Sequence, residues 1–410
     1  MASVLVHHVI GDLTLGKPEI KEFADSETVE AAVKAIGECA EGAITVWKAN
    51  DGCDRTDGIW PRASRFVGIL HSMDLVAFLA KAGEEHERAM RTPVAEVVKP
   101  NPTLLKEVDP GTRLIDALEL MKQGVRRLLV RKSIAWKGVS KRFSILYHGK
   151  WLKTLNTSTA TTPSNSGQSS SSSFHDDKYC CLSREDVVRF LIGCLGALAP
   201  IPLSSISSLG AITPRYFHIE ASSPAIEVAH KLPQDPCVIA VVETNPDGSH
   251  KIIGEISAYK LWKCDYLAAS WALANLSAGQ FVMGAEDNIT ASDSLVPNLS
   301  VSSPIEDTIL GASLRPKKFS SRSIGFFSSQ ANQMAVGGLG SMYRGRSAPL
   351  TCKHTSSLAA VMAQMLSHRA THVWVTDAEV EDDILIGIIS YSDILHAVTK
   401  HPGSLVPTTP

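Results

Sequence analysis

An α/β fold built from four copies of one supersecondary unit is what the sequence predicts, and three observations predict it. The first is a recurring turn. In "GIISYSDIL" (387–395) a short apolar strand ends at Ser390, and Asp393 opens an apolar-periodic helix through Ile394, Leu395 and Val398. The same turn appears in "GILHSMDLVAFL" (68–79) with His71 and Asp74, and in "CCLSREDVVRFL" (180–191) with Ser183 and Asp186. A fourth copy, "GEISAYKLW" (254–262), keeps Ser257 but places Lys260 where the others carry aspartate. The second observation is what precedes each turn, a helical segment followed by a β-rich one. The third is bulk composition: 410 residues, 44% hydrophobic and 20% charged, are ample for two globular domains with their own cores. One such unit cannot bury its apolar face alone, so copies are expected to stack.

The elements follow in order. In the first unit, Asp25 to Thr28 offers a helix start, Val29, Ala32, Val33 and Ile36 give the helical period, and Ala43 to Trp47 reads as a strand. In the second, Pro110-Gly111-Thr112 precedes a helix on Leu114, Ala117, Leu118 and Met121, then a strand from Arg127 to Val130. "EASSPAIEVAHKLPQDPCVIAVVET" and "CKHTSSLAAVMAQMLSHRATHVWVTD" begin the third and fourth. The units are placed at 12–90, 92–196, 207–270 and 346–400, with an irregular linker at 271–345. The second is split by a Ser/Thr-rich insert, 156–177, whose composition buries little apolar area. Ser320, Ser321 and Ser323 lie among Arg315, Lys317, Lys318 and Arg322, a basic serine cluster able to accept phosphate.

A hydroxyl and an aspartate three residues apart at a strand-to-helix turn have two readings. They cap the helix, or they face a ligand lying across the strand's end. Taken alone, one copy reads as a cap.

Four copies in a repeated unit resemble the cystathionine-β-synthase (CBS) domain family and its Gly-x-x-Ser/Thr-x-x-Asp element. The similarity is greatest to four-repeat plant CBS-domain proteins related to the γ regulatory subunit of AMP-activated and sucrose-non-fermenting-type kinases. The fourth copy matches in full; His71, Cys180 and Lys260 are departures in the other three. The resemblance implies four CBS repeats paired into two Bateman modules that form a pseudo-symmetric disc. It also implies a regulatory protein, not an enzyme, that binds AMP, ADP, ATP or S-adenosylmethionine as a ligand rather than a cofactor. Its implied partners are a regulated protein such as a kinase complex and a second copy through the modules. In that scheme Asp74, Asp186 and Asp393 hold ribose hydroxyls, Ser183 and Ser390 brace the turns, and Arg126, Arg127 and His372 meet phosphate. The alternative from another class is an interaction scaffold whose degenerate turns bind no nucleotide.

Charge and composition narrow the remaining classes. With 40 Lys+Arg against 42 Asp+Glu, no overall field draws nucleic acid or an acidic membrane. Eight cysteines include no Cys-x-x-Cys pair, so free thiols in a reducing compartment are expected, with a cytoplasmic or nuclear location rather than secretion. Neither a His-Glu-x-x-His motif nor a nucleophile–histidine arrangement can be placed. The uncharged run 266–285 is long enough to span a bilayer, but Ser270, Asn275, Ser277 and Gln280 make insertion costly, and no membrane partner is expected.

Overall fold

Strand β1 (Phe23–Ala24) runs parallel to β2 (Ala43–Trp47), which pairs antiparallel with β3 (Phe66–His71). The same three-stranded pattern recurs three times. It is built from β4 (Leu105–Val108), β5 (Arg127–Arg131) and β8 (Tyr179–Ser183); from β9 (His218–Glu220), β10 (Val238–Thr244) and β11 (His250–Ser257); and from β12 (Thr351–Lys353), β13 (His372–Thr376) and β14 (Leu385–Ser390). A short hairpin, β6 (Ile145–Tyr147) and β7 (Lys150–Leu152), stands apart. This computed structural model describes residues 3–39, 42–49, 62–83, 85–132, 178–283, 348–377 and 383–400, plus the backbone of that hairpin. The Ser-rich insert 156–177, the basic serines 320–323 and nearly all of the expected linker lie outside the described residues.

The parallel first pair requires a crossover, and the periodic segments supply it. Val29–Glu38, Leu114–Lys122 and Leu358–His368 are helices, while the third unit has a shorter 3-10 and α turn over Ala225–Lys231. Starts are set where the sequence offers caps: Thr28 Oγ1 accepts from Ala31 N at 3.2 Å and Ser357 Oγ from Ala360 N at 3.3 Å. Helices Ser72–Ala82, Arg184–Gly193 and Tyr391–Thr399 follow the third strands of units one, two and four. In the third unit the packed structure continues past the expected boundary at 270. Tyr266–Asn275 and Ala278–Met283 are helices whose Ala269, Leu273, Phe281 and Val282 join the core, which corrects the linker's start. Two short helices replace the single apolar run, and among the described residues no helix is long and apolar enough to cross a membrane.

Four buried clusters join the units in pairs. Trp47, Phe66 and Ile69 of the first sheet pack on Leu105, Leu129 and Tyr179 of the second. Val238, Ala240 and Val242 of the third pack on Trp374, Leu385 and Ile388 of the fourth. Helical residues of units one and three share a core, as do those of units two and four, where Leu5, Ile10 and Leu13 also enter. The first residues therefore pack with the second and fourth units, before the first unit begins.

The register explains the glycine of the repeated turn. Gly68 and Gly387 each oppose a valine, Val46 and Val375, on the central strand. A Cβ on Gly68 would lie 2.7 Å from the Lys99 carbonyl oxygen, and one on Gly387 would lie 2.8 Å from that of Thr213. The segment leading into a neighbouring unit crosses the sheet there and leaves no room for a side chain.

Candidate functional site

Each lead-in segment delivers one residue to the aspartate position of its paired unit. Lys17, ahead of β1 in unit one, reaches Asp186 of unit two, with Nζ 2.5 Å from Oδ2. Lys99, ahead of β4 in unit two, comes to 4.0 Å from Asp74 Oδ1 of unit one. Thr213, ahead of β9 in unit three, donates through Oγ1 to Asp393 Oδ1 of unit four at 2.8 Å. Ala348, ahead of β12 in unit four, accepts from Lys260 Nζ of unit three at 2.8 Å. The exchange is reciprocal within units one and two and within units three and four.

The aspartates also perform the local work expected of a cap. Each folds back to its strand's last backbone N–H: His71 N donates to Asp74 Oδ2 at 3.0 Å, Ser183 N to Asp186 Oδ2 at 2.9 Å, and Ser390 N to Asp393 Oδ2 at 2.8 Å. Ser183 Oγ and Ser390 Oγ donate to the same oxygens at 3.0 and 2.7 Å. Capping therefore consumes Oδ2, and Oδ1 decides what else each carboxylate can hold. Asp393 Oδ1 has Thr213, and Asp186 Oδ1 has Arg189 at 3.7 Å with Lys17 across the other oxygen. Asp74 Oδ1 faces the exposed ammonium of Lys99 at 4.0 Å, with no closer ionic partner among the described residues. Asp74 is more accessible than Asp186, at 16% of its side chain against 7%.

The Asp74 cleft opens into a larger cavity where the four units meet. The cleft, about 30 Å³, is lined by Asp74, Lys99 and Leu232, and shares Ile69, His71, Arg126, Gln234 and Cys237 with the cavity. The cavity holds about 110 Å³ and receives residues from all four units, including Gly42, Arg127, Arg184, Pro236, Arg369 and Tyr391. Its wall carries four guanidinium groups, of Arg126, Arg127, Arg184 and Arg369, against the carboxylates of Glu185 and Asp235. Such an excess suits an anion. The free volume fits phosphate-sized groups; a complete nucleoside, in a pocket of about 300 Å³ or more, requires the Asp74 cleft to widen past the exposed Lys99.

The cations are held in place from unit three. Asp235 pairs with Arg184 Nη1 and stands 3.7 Å from Arg126 Nε, while Arg184 Nη2 donates to the Met121 carbonyl at 2.8 Å. Arg184 Nε is buried with no hydrogen-bond partner among the described residues. Burial lowers the pKa of Arg126 from its ordinary value; Asp235 opposes the shift and Arg184 adds to it. His71 at the rim is pulled down to about 4 by burial, against Asp74, with Arg126 and Arg127 pushing the same way as burial. It is neutral at physiological pH and leaves Nε2 facing Arg126 Nη1 at 3.5 Å.

The corresponding position in unit three is closed. Glu255, fully buried, accepts from Ser257 Oγ at 3.0 Å, Trp374 Nε1 at 2.6 Å and His372 Nε2 at 3.1 Å, with Lys260 Nζ at 3.9 Å. Burial pushes the Glu255 carboxyl up, but Lys260, His372 and the Trp374 N–H overcome it and hold it at about 2. This corrects the expectation for His372. Its Nε2 meets Glu255 and its Nδ1 meets Thr371 Oγ1 at 3.1 Å, so both nitrogens are engaged in the protein and the ring is 0% exposed. Unit four instead contributes Arg369, Thr371 and Tyr391 to the cavity wall.

Of the residues singled out by sequence, Asp74, Arg126, Arg127 and Ser183 meet around the connected cleft and cavity. Asp186 is buried under Lys17, and Ser390 and Asp393 sit under Thr213. Sequence reasoning missed Arg184 and Asp235, although Arg184 directly follows Ser183; its reach into the cavity depends on how unit three packs on unit two.

This architecture defines a class: a repeat-built α/β protein whose units face one another across shared clefts. The CBS domain model matches residues 345–400. CBS domain-containing protein CBSX6 of Arabidopsis thaliana is 58% identical over 422 residues, covering 100% of this chain and 97% of its own. CBSX5 of the same plant is 27% identical over 416 residues, covering 98% of each. Among solved structures, protein MJ1225 from Methanocaldococcus jannaschii aligns over 95% of this chain and 99% of its own, at 15% identity and a TM-score of 0.49. The chain belongs to the CBS domain-containing proteins.

Proposed function

We propose that this protein is a regulatory sensor of an adenosyl ligand, with units one and two forming one Bateman module and units three and four the other, set together as a disc. The exchanged lead-in segments and the two sheet-on-sheet clusters support that pairing. The observation that carries the ligand reading is the continuity of the Asp74 cleft with the cationic cavity through Arg126. Asp74 Oδ1 accepts a ribose hydroxyl, as an acidic residue does in dinucleotide folds, while Arg126, Arg127 and the unpaired Nε of Arg184 take phosphate. The family resemblance offers AMP, ADP, ATP and S-adenosylmethionine as ligands. An arginine-lined wall favours the nucleotides over the sulfonium, whose positive charge would meet four guanidinium groups. Occupancy is conveyed to a regulated protein partner such as a kinase complex.

A thermal-shift and calorimetric comparison of the four ligands tests this, because a ligand that binds only the folded state raises its stability. Asp74→Ala should weaken nucleotide binding by about 1.5–3 kcal/mol, the worth of a charge-assisted hydrogen bond. Arg127→Ala should weaken AMP more than adenosine. No shift with any of the four at millimolar concentration would turn the assignment to the second reading, an interaction scaffold. That reading is favoured by a specific observation: protein groups already cover Asp186 and Asp393, and Lys260 fills the third position.

A further inference from the structure

We propose that His218, Glu220 and His250 form a binding site for one divalent transition-metal ion, with zinc the best fit, at the far end of the third unit from the cleft. The register brings the three together. His218 opposes Ala240, Glu220 opposes Val242 and His250 opposes Thr244, and these alternate residues of β10 face one side of the sheet. One ligand atom from each side chain lies within 4.8 Å of the others, and the two imidazole rings are 4.1 Å apart between centroids.

Neighbouring groups orient the ligands as metal sites require. The Tyr216 hydroxyl lies 2.9 Å from His250 Nδ1 and 3.3 Å from the Leu385 carbonyl; with its proton given to that carbonyl, it accepts from Nδ1–H. That bond fixes the tautomer with the lone pair on Nε2, the nitrogen left to coordinate. Thr244 Oγ1 donates to Glu220 Oε1 and turns the carboxylate, with Oε2 left for the ion.

Two imidazoles and one carboxylate form a borderline donor set that suits zinc rather than calcium or magnesium, which take oxygen ligands. Ligands at about 2.0–2.1 Å in a tetrahedron stand roughly 3.3 Å apart, so closure from the present spacing needs side-chain rotation only. Water completes the fourth position. His218 is exposed, giving the ion a way in. The bound ion would join β9 to β11 across β10. His250 and Ser257 are the two ends of β11, roughly 23 Å apart at strand rise, so the site is independent of the Asp74 cleft.

The test uses the full chain, stripped with a chelator and kept reduced, titrated with Zn²⁺ against a chromophoric competitor and with Co²⁺ by visible absorption. One equivalent should bind, with a four-coordinate nitrogen–oxygen cobalt spectrum and a rise in melting temperature on adding Zn²⁺. His218→Ala should raise Kd at least about 100-fold and Glu220→Gln, which removes the anionic ligand, by at least about 10-fold, while Tyr216→Phe should raise it about 10-fold, the usual effect of an orienting partner. His7→Ala should leave the binding unchanged. If His250→Ala does not fold, His218→Ala decides, since its exposed side chain is dispensable to the core. The proposal is overturned if the wild-type chain binds no Zn²⁺ below 100 µM (about −5.5 kcal/mol), if His218→Ala binds as tightly as wild type, or if a sulfur-to-cobalt charge-transfer band places the ion on cysteine.

Discussion

Replacing Glu255 by alanine should be among the most damaging single changes in the third and fourth units. The side chain is fully buried and satisfies the hydroxyl of Ser257, the indole N–H of Trp374 and Nε2 of His372, while its charge faces the ammonium of Lys260. Alanine strands all of these at once. Removing one member of a buried ion pair costs about 3–5 kcal/mol, and each orphaned buried donor about 1–3, but groups in one network do not add. About 4 kcal/mol is the resulting expectation, a large share of the roughly 5–15 kcal/mol of a folded domain. Glu255→Gln keeps an acceptor for Trp374 but loses the charge and turns the oxygen facing Ser257 into a donor, so it should cost about 2–3 kcal/mol. The linkage to pH follows from the depressed pKa. Glu255 is held at about 2 instead of its ordinary 4.5, so its contribution is present above pH 4.5 and lost as pH falls from 4.5 towards 2. Over that window it amounts to about 3 kcal/mol. Urea denaturation followed by tryptophan fluorescence, at pH 7 and at intervals down to pH 2, reads both quantities. A loss below about 1 kcal/mol in Glu255→Ala, or an acid dependence identical in wild type and variant, would refute the network as the element that closes this cleft.

Three further perturbations probe other parts of the argument. Gly387→Ala places a Cβ 2.5 Å from Ile212 Cγ2 and 2.8 Å from the Thr213 carbonyl, and should cost about 1–3 kcal/mol as overpacking, whereas Gly37→Ala, with nothing within 4 Å in helix Val29–Glu38, should gain about 0.5–1 kcal/mol; thermal melts compare the pair. Lys17→Met should cost about 2 kcal/mol, because Asp186 keeps its bonds to Ser183 and Arg189 while losing its shortest ionic partner, and denaturant midpoints measure it. His71 has its folded pKa lowered from 6.5 to about 4, so stability should fall as pH drops from 6.5 to 4; His71→Gln should flatten the stability profile in that window and leave the lower Glu255 window in place.

The repeated unit was legible because its signals are local. A period-3.6 helix, a β-branched strand and a capping aspartate three residues beyond the strand's end fit inside a short window, and Asp74, Asp186 and Asp393 do cap their turns. The partners of those aspartates were not legible, because they arrive from remote lead-in segments: Thr213 is 180 residues from Asp393, and Lys17 belongs to a stretch with no periodicity of its own. The same distance hid Asp235, which sits in a third-unit turn yet anchors Arg126 and Arg184 of the second. His372 shows the opposite error. Its place ahead of an apolar strand matches that of Arg127, since both oppose the serine that ends the antiparallel strand, but the match holds for the backbone alone. Glu255 on the facing sheet draws the imidazole inward, and no pattern within the fourth unit encodes it.

Lys260 gains a different meaning once Glu255 is considered with it. In the sequence alone, a lysine in place of the repeated aspartate looks like decay of a binding turn. In the fold, the charge is inverted and compensated: Ser257 Oγ still accepts from the backbone at position 260, the lead-in carbonyl of Ala348 still meets the side chain, and a buried carboxylate balances the ammonium. A decayed site would leave a buried lysine unpaired, at a cost the domain could not easily carry. The position therefore acts as a structural lock between units three and four. Among the described residues, the Asp74 cleft and the cavity sharing its wall bring a carboxylate oxygen and arginine side chains to the same lining.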